Sequence, residues 1–166
     1  RYCAILTHSL PAITENEALE KVKAVAGKFQ TVTFSGGEPG LLSKEILEQM
    51  IKAVEDSGSV LCINTNGTFI RKYPDMVSRF DEVIYHCSRD LDDTLLIYPQ
   101  FDNIRYMLVV DDINYPRLKR YLDSNPGVIF DVVPASYEPG DVWKQLSVFN
   151  RMEIVKKFSD RITFES

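Results

Sequence analysis

Cysteine and histidine are scarce in this 166-residue chain: three of the one (Cys3, Cys62, Cys87) and two of the other (His8, His86). Three scattered thiols cannot build a disulfide scaffold, so a reducing cytoplasm is the expected home. His86 beside Cys87 has no third ligand at zinc spacing. Long apolar runs are missing too. None exceeds five residues, the length of Tyr106 to Val110, far short of a membrane span, and no basic-then-apolar opening marks a secretory leader. There is no block of Lys or Arg, and the net charge of -5 argues against nucleic acid or a membrane surface as the main partner. The chain has no G-x-G-x-x-G, no P-loop and, around Ser35, no G-x-S-x-G. Dinucleotide, triphosphate and serine-nucleophile sites are therefore not indicated.

What is present is an ordinary globular composition, 45% hydrophobic and 26% charged. At about 150 residues a chain buries roughly two-thirds of its unfolded surface, enough for one domain with its own core, here taken as residues 1–166. Helix-period segments alternate with short apolar runs. Thr14 and Glu17 form a capping box opening a helix to Lys28, with Ala18, Leu19, Val22, Val25, Ala26 and Phe29 on its apolar face. A second helix is expected over Ser43 to Ser57, with Ser43 as N-cap, Ile46, Leu47, Met50, Ile51 and Val54 inward, and Gly58 as its stop. Shorter helices are expected at Pro74–Phe80, Leu91–Tyr98 and Tyr115–Ser124, and a long one at Asp141–Phe158, whose Trp143, Leu146 and Phe149 read as core. Strands are expected at Thr31–Phe34, Val60–Asn64, Glu82–Cys87, Ile104–Val110, Val128–Val133 and Arg161–Phe164. Such spacing, with a helix in most gaps, is that of successive βαβ units. Apolar strands covered by helices suit a parallel sheet, either open and doubly wound or curled into a partial or full β/α barrel.

In either arrangement the C-terminal strand ends share one rim, where ligands bind. The residues after the strands are Ser35-Gly36-Gly37-Glu38-Pro39, Thr65-Asn66-Gly67, Ser88-Arg89-Asp90, Asp111-Asp112 and Pro134-Ala135-Ser136. Polar loops are ordinary, and Asp111 and Asp112 read equally well as helix caps. The Gly36-Gly37-Glu38-Pro39 run says more. Two glycines at a strand end let the backbone turn sharply and approach a ligand. Glu38 adds an acceptor suited to a ligand ammonium, and Pro39 stiffens the exit. A tight turn into the next helix explains the same residues about equally well.

Taken together, these motifs resemble those of the radical S-adenosylmethionine (radical SAM) enzymes. Thr33-Phe34-Ser35-Gly36-Gly37-Glu38-Pro39 is similar to that family's GGEP turn. Tyr2-Cys3 lies where its third cluster cysteine, of a C-x3-C-x2-C pattern, should lie. Asn64-Thr65-Asn66-Gly67-Thr68 resembles its TNG turn, and Ser88-x-Asp90 the polar pair after its following strand. The likeness runs in order through the first 90 residues or so, with compatible spacing to about residue 135.

The resemblance implies a partial (β/α)6 barrel of parallel strands. It implies one [4Fe–4S] cluster on three thiolates, Cys3 among them, with S-adenosylmethionine on the remaining iron. Reductive cleavage of S-adenosylmethionine would then yield a 5′-deoxyadenosyl radical that takes hydrogen from a substrate. By the same analogy Gly36, Gly37, Glu38 and Pro39 meet the methionine amino end, and Asn64 and Asn66 line the pocket. Ser88 and Asp90 bind ribose, and Pro134 and Ala135 pack on adenine. A flavodoxin- or ferredoxin-type electron donor and a small-molecule or protein substrate are implied as partners, as in compact members such as glycyl-radical enzyme activases. The departure is that Cys3 alone matches the cluster pattern, and one thiolate cannot hold a cubane. Cys62 and Cys87, at strand positions, read as packing residues. The expectation is that a first strand and two cysteines precede Arg1. The alternative is a cluster-less α/β module that binds a nucleoside-like ligand or a protein.

Overall fold

A computed structural model describes residues 13–87, 97–110, 115–134 and 162–164. They form an α/β protein with parallel strands, in two compact units. One runs to Tyr85 and takes up Tyr98–Ile104 again; the other holds His86, Cys87 and the residues from Arg105 onward.

The first unit opens with helix α1, Glu15–Val25, capped as its sequence demands: the Glu17 amide donates to Thr14 Oγ1 at 3.2 Å and the Thr14 amide to Glu17 Oε2 at 2.7 Å. The chain leaves the helix at Ala26, with ψ 130°, and turns at Gly27, with φ 75°. The helix is therefore shorter than the expected span to Lys28, and Phe29, assigned to its apolar face, is 61% exposed. Strand β1 is Thr31–Phe34, α2 is Lys44–Glu55 and β2 is Val60–Thr65. Leu47, Met50, Ile51 and Val54 of α2 are buried as the period requires, each contributing about 1.5–3 kcal/mol. Ser43 precedes α2 but makes no cap bond with its side chain. Its amide and hydroxyl both donate to the Glu15 carboxylate, at 2.7 and 2.6 Å, tying α1 to the start of α2.

A five-residue helix α3, Thr68–Lys72, follows β2 and was not expected from the sequence. A 3-10 helix at Pro74–Arg79 stands where a short helix was expected, and β3 is Glu82–Cys87. β1 pairs with β2 and β2 with β3, both parallel, with Thr31 opposite Val60 and Cys62 opposite Glu82. The spatial order 1-2-3 moves in one direction, and right-handed crossovers that never reverse put the connecting helices on one face. This order is compatible with a partial α/β barrel, whereas a doubly wound sheet needs a reversal. The core is aromatic at its centre: Phe80 meets Phe34 edge-on at 5.8 Å and Phe69 at 5.2 Å.

In the second unit β4 (Ile104–Val110), α4 (Tyr115–Ser124), β5 (Phe130–Pro134) and β6 (Ile162–Phe164) follow, with β4–β5 and β5–β6 also parallel. Leu108, Leu118, Leu122, Phe130 and Val132 are fully buried. Asp131, 3% exposed on β5, is paired with Arg105 of β4. The helices expected at Leu91–Tyr98 and Asp141–Phe158 fall wholly or largely outside the described residues. Among the described residues no helix is long and apolar enough to cross a membrane.

Candidate functional site

The site is built from the turns that follow β1 and β2. Leaving β1 at Phe34, the chain passes Ser35 and reverses at Gly36, whose φ of 86° suits glycine and no other residue well. An added Cβ at Gly36 would meet nothing within 4 Å, so the space above it is open. Glu38 is extended and caps the 3-10 turn Pro39–Leu41, with Pro39 in its first position. Gly40 has the opposite surroundings. A Cβ there would lie 2.5 Å from the Phe69 amide nitrogen, so the two backbones touch. Leaving β2 at Thr65, the chain turns through Asn66 and Gly67. Gly67 has φ 93° and lies against the Tyr85 ring, 2.8 Å from an added Cβ.

Parallel pairing of β1 with β2 brings these turns together, and Glu38 joins them. Its Oε1 accepts from the Gly40 amide at 2.9 Å, the Thr65 hydroxyl at 2.8 Å and the Phe69 amide at 3.1 Å. Oε2 accepts from the Asn66 amide at 2.7 Å and again from Thr65 at 3.1 Å. Thr65, 2% exposed, accepts in turn from the Gly67 amide at 3.0 Å. Asn66 Oδ1 takes the Thr68 amide and hydroxyl at 3.0 and 2.7 Å, closing the second turn. Lys72 Nζ donates to the Gly40 carbonyl at 3.0 Å and the Tyr73 hydroxyl to the Leu42 carbonyl at 2.7 Å. Asn64 donates from Nδ2 to Ser35 Oγ at 3.1 Å, while its Oδ1 is buried without a partner. A buried acceptor without a donor is costly, and this one lies behind Ser35, which lines the adjoining cleft.

Gly36, Gly37, Glu38 and Pro39 line one end of a cleft of about 390 Å³, and Val22, Val32, Phe34 and Met50 are among the apolar residues of its wall. That is the size range of a small-molecule site, and Thr14, Glu15 and Lys21 add polar groups to its mainly apolar wall.

Of the residues singled out from the sequence, Gly36, Gly37, Glu38, Pro39, Asn64 and Asn66 are thus brought together. Gly36, Gly37 and Asn66 are exposed and Pro39 is buried. Glu38 differs from its expected posture. Its carboxylate faces the second turn, and its lone pairs are occupied from within the protein. Pro134 ends β5 in the second unit. Cys3, Ser88, Asp90 and Ala135 lie outside the described residues. Thr65, Gly40 and Tyr85 were not singled out as working parts. Thr65 stood inside the recognised turn, but nothing in a single sequence marks a threonine hydroxyl as the partner of a carboxylate 27 residues away.

Among the described residues no group of three or more His, Cys, Asp or Glu side chains could hold a metal. Cys62 is a free, buried thiol on β2, pushed above its ordinary range by burial and by the nearby Glu82 and Asp81 carboxylates. It is a packing residue, as the sequence indicated. A scan against protein-family models and a search of curated proteins returned no match for this chain.

Proposed function

We propose that the chain is the S-adenosylmethionine-gripping part of a radical S-adenosylmethionine enzyme. The observation that carries this reading is the diglycine corner at the end of β1, open above Gly36 and lining a cleft of ligand size, with the Asn64–Gly67 turn tied to it through Glu38. Gly36 and Gly37, without side chains, would meet the amino end of the ligand with backbone groups. The apolar wall of Val22, Val32, Phe34 and Met50 would exclude water from the bound molecule. On the resemblance alone, Ser88 and Asp90 would bind ribose, Pro134 and Ala135 would pack on adenine, and Cys3 with two further thiolates would hold the [4Fe–4S] cluster. When bound, the cluster and S-adenosylmethionine supply reductive C–S cleavage and radical hydrogen abstraction. The substrate is a small molecule or a protein.

Anaerobic reconstitution of the full-length gene product with iron and sulfide tests this reading. The expected product is brown, bleaches on reduction and releases 5′-deoxyadenosine from S-adenosylmethionine. A colourless product that releases none would overturn the reading and favour a module that binds a nucleoside-like ligand without cleaving it.

A further inference from the structure

Glu38 is the least expected feature of the rim. A carboxylate offers about four lone-pair directions, and here the Gly40, Asn66 and Phe69 amides and the Thr65 hydroxyl take them up. Three of these donors converge on Oε1 and the Asn66 amide holds Oε2, so both oxygens are committed within the protein before any ligand ammonium arrives. All three amides can only donate, so the site requires an acceptor at both oxygens. The Thr65 hydroxyl gives its proton to Glu38 and accepts from Gly67, extending the chain of bonds to the residue that lies against Tyr85.

We infer that Glu38 is a positioning residue: with Thr65 it latches the diglycine turn to the Asn66–Gly67 turn, so that both present one rigid rim to the ligand. The inference rests on the proposal that this rim grips S-adenosylmethionine, and it narrows the direct ligand contacts of the rim to the Gly36 and Gly37 backbone. Glu38→Gln is close in shape but puts an NH2 against an amide N–H, whichever way it is turned. Thr65→Val removes the hydroxyl and keeps the shape, and Thr65→Ser restores it.

The test has two readouts on the full-length protein. One is amide hydrogen exchange at Gly40, Asn66 and Phe69, which needs no ligand. The other is the S-adenosylmethionine dissociation constant. Glu38→Gln and Thr65→Val are each expected to speed exchange in both turns and to weaken binding by about tenfold, the loss of one good hydrogen bond. Thr65→Ser is expected to stay near wild type, and the double variant to be no worse than Glu38→Gln alone, because both changes open the same latch. Unchanged exchange at Asn66 and Phe69 in Glu38→Gln would refute the latch whatever the ligand does. Weak binding in Glu38→Gln with normal binding in Thr65→Val would make Glu38 a ligand contact and overturn the positioning role. Faster exchange with no binding by wild type would leave the latch standing and remove the cofactor reading with the role built on it. If Glu38→Gln fails to fold, the Thr65 pair carries the same comparison.

Discussion

Gly36 and Gly40 stand four residues apart and are glycine for different reasons. Gly36 is held by its backbone angle, with open space where a side chain would go; Gly40 is held by the Phe69 backbone pressed against it. Gly36→Ala should therefore cost only the left-handed strain, about 1–2 kcal/mol. Its methyl group would enter the cleft, so ligand binding should suffer more than stability. Gly40→Ala drives a methyl into backbone that cannot give way, and should destabilise by about 1–3 kcal/mol or more. Chemical denaturation of the two variants checks the order, and a Gly36 variant less stable than its Gly40 counterpart would contradict it. Cys62 offers a separate check. Its thiol is buried, with Glu82 and Asp81 nearby, and holds its proton at neutral pH. In native protein, peptide mapping after iodoacetamide treatment should find Cys62 unmodified, with modification following only on unfolding.

Helix α1 and helix α2 are joined by charge as well as by packing, and this sets the acid response of the first unit. The Ser43 hydroxyl and amide beside Glu15 hold its carboxyl below the ordinary glutamate range. Thr14 does the same for Glu17 and Arg79 for Glu55. A carboxyl lowered by folding stabilises above its unfolded value and loses that contribution as pH falls through the folded one. Stability should therefore decline below about pH 4–5, and Glu15→Gln, already without the charge, should decline less steeply on an acid unfolding titration. Helix faces and strand positions were legible because they depend on local period: β1, β3, β4 and α4 have the bounds their sequence gives. What was not legible depends on contacts distant in sequence. Ser43 has the type of an N-cap, but Glu15, 28 residues earlier, claims its hydroxyl. Helix α3 is only five residues long, too short for a period to declare itself before Pro74. Glu38 was recognisable as part of a motif. Its partners at Thr65, Asn66 and Phe69 are supplied by the parallel pairing of β1 with β2, which no local pattern encodes.

At the scale of the whole chain, the first unit depends on a segment that returns to it. The chain leaves at His86 and contributes Tyr98–Ile104 again. Within that return Asn103 holds the end of the 3-10 helix. Its Nδ2 donates to the Val77 carbonyl at 2.9 Å and the Phe80 carbonyl at 2.8 Å, and its own carbonyl accepts from the Val83 amide at 2.9 Å. Val77 and Phe80 are buried, so water is poorly placed to replace the lost donor. Asn103→Ala should thus cost about 1–3 kcal/mol, and Asn103→Asp at least as much, since it turns an oxygen toward two carbonyl oxygens. Where the loss falls is as informative as its size. Local opening follows cooperative units, so faster exchange is expected at amides of the 3-10 helix and β3, which Asn103 bonds, with Val132 of β5 keeping its protection. Equal loss at Val132 would mean that the two compact units open as one, and that the returning segment supports the second as much as the first.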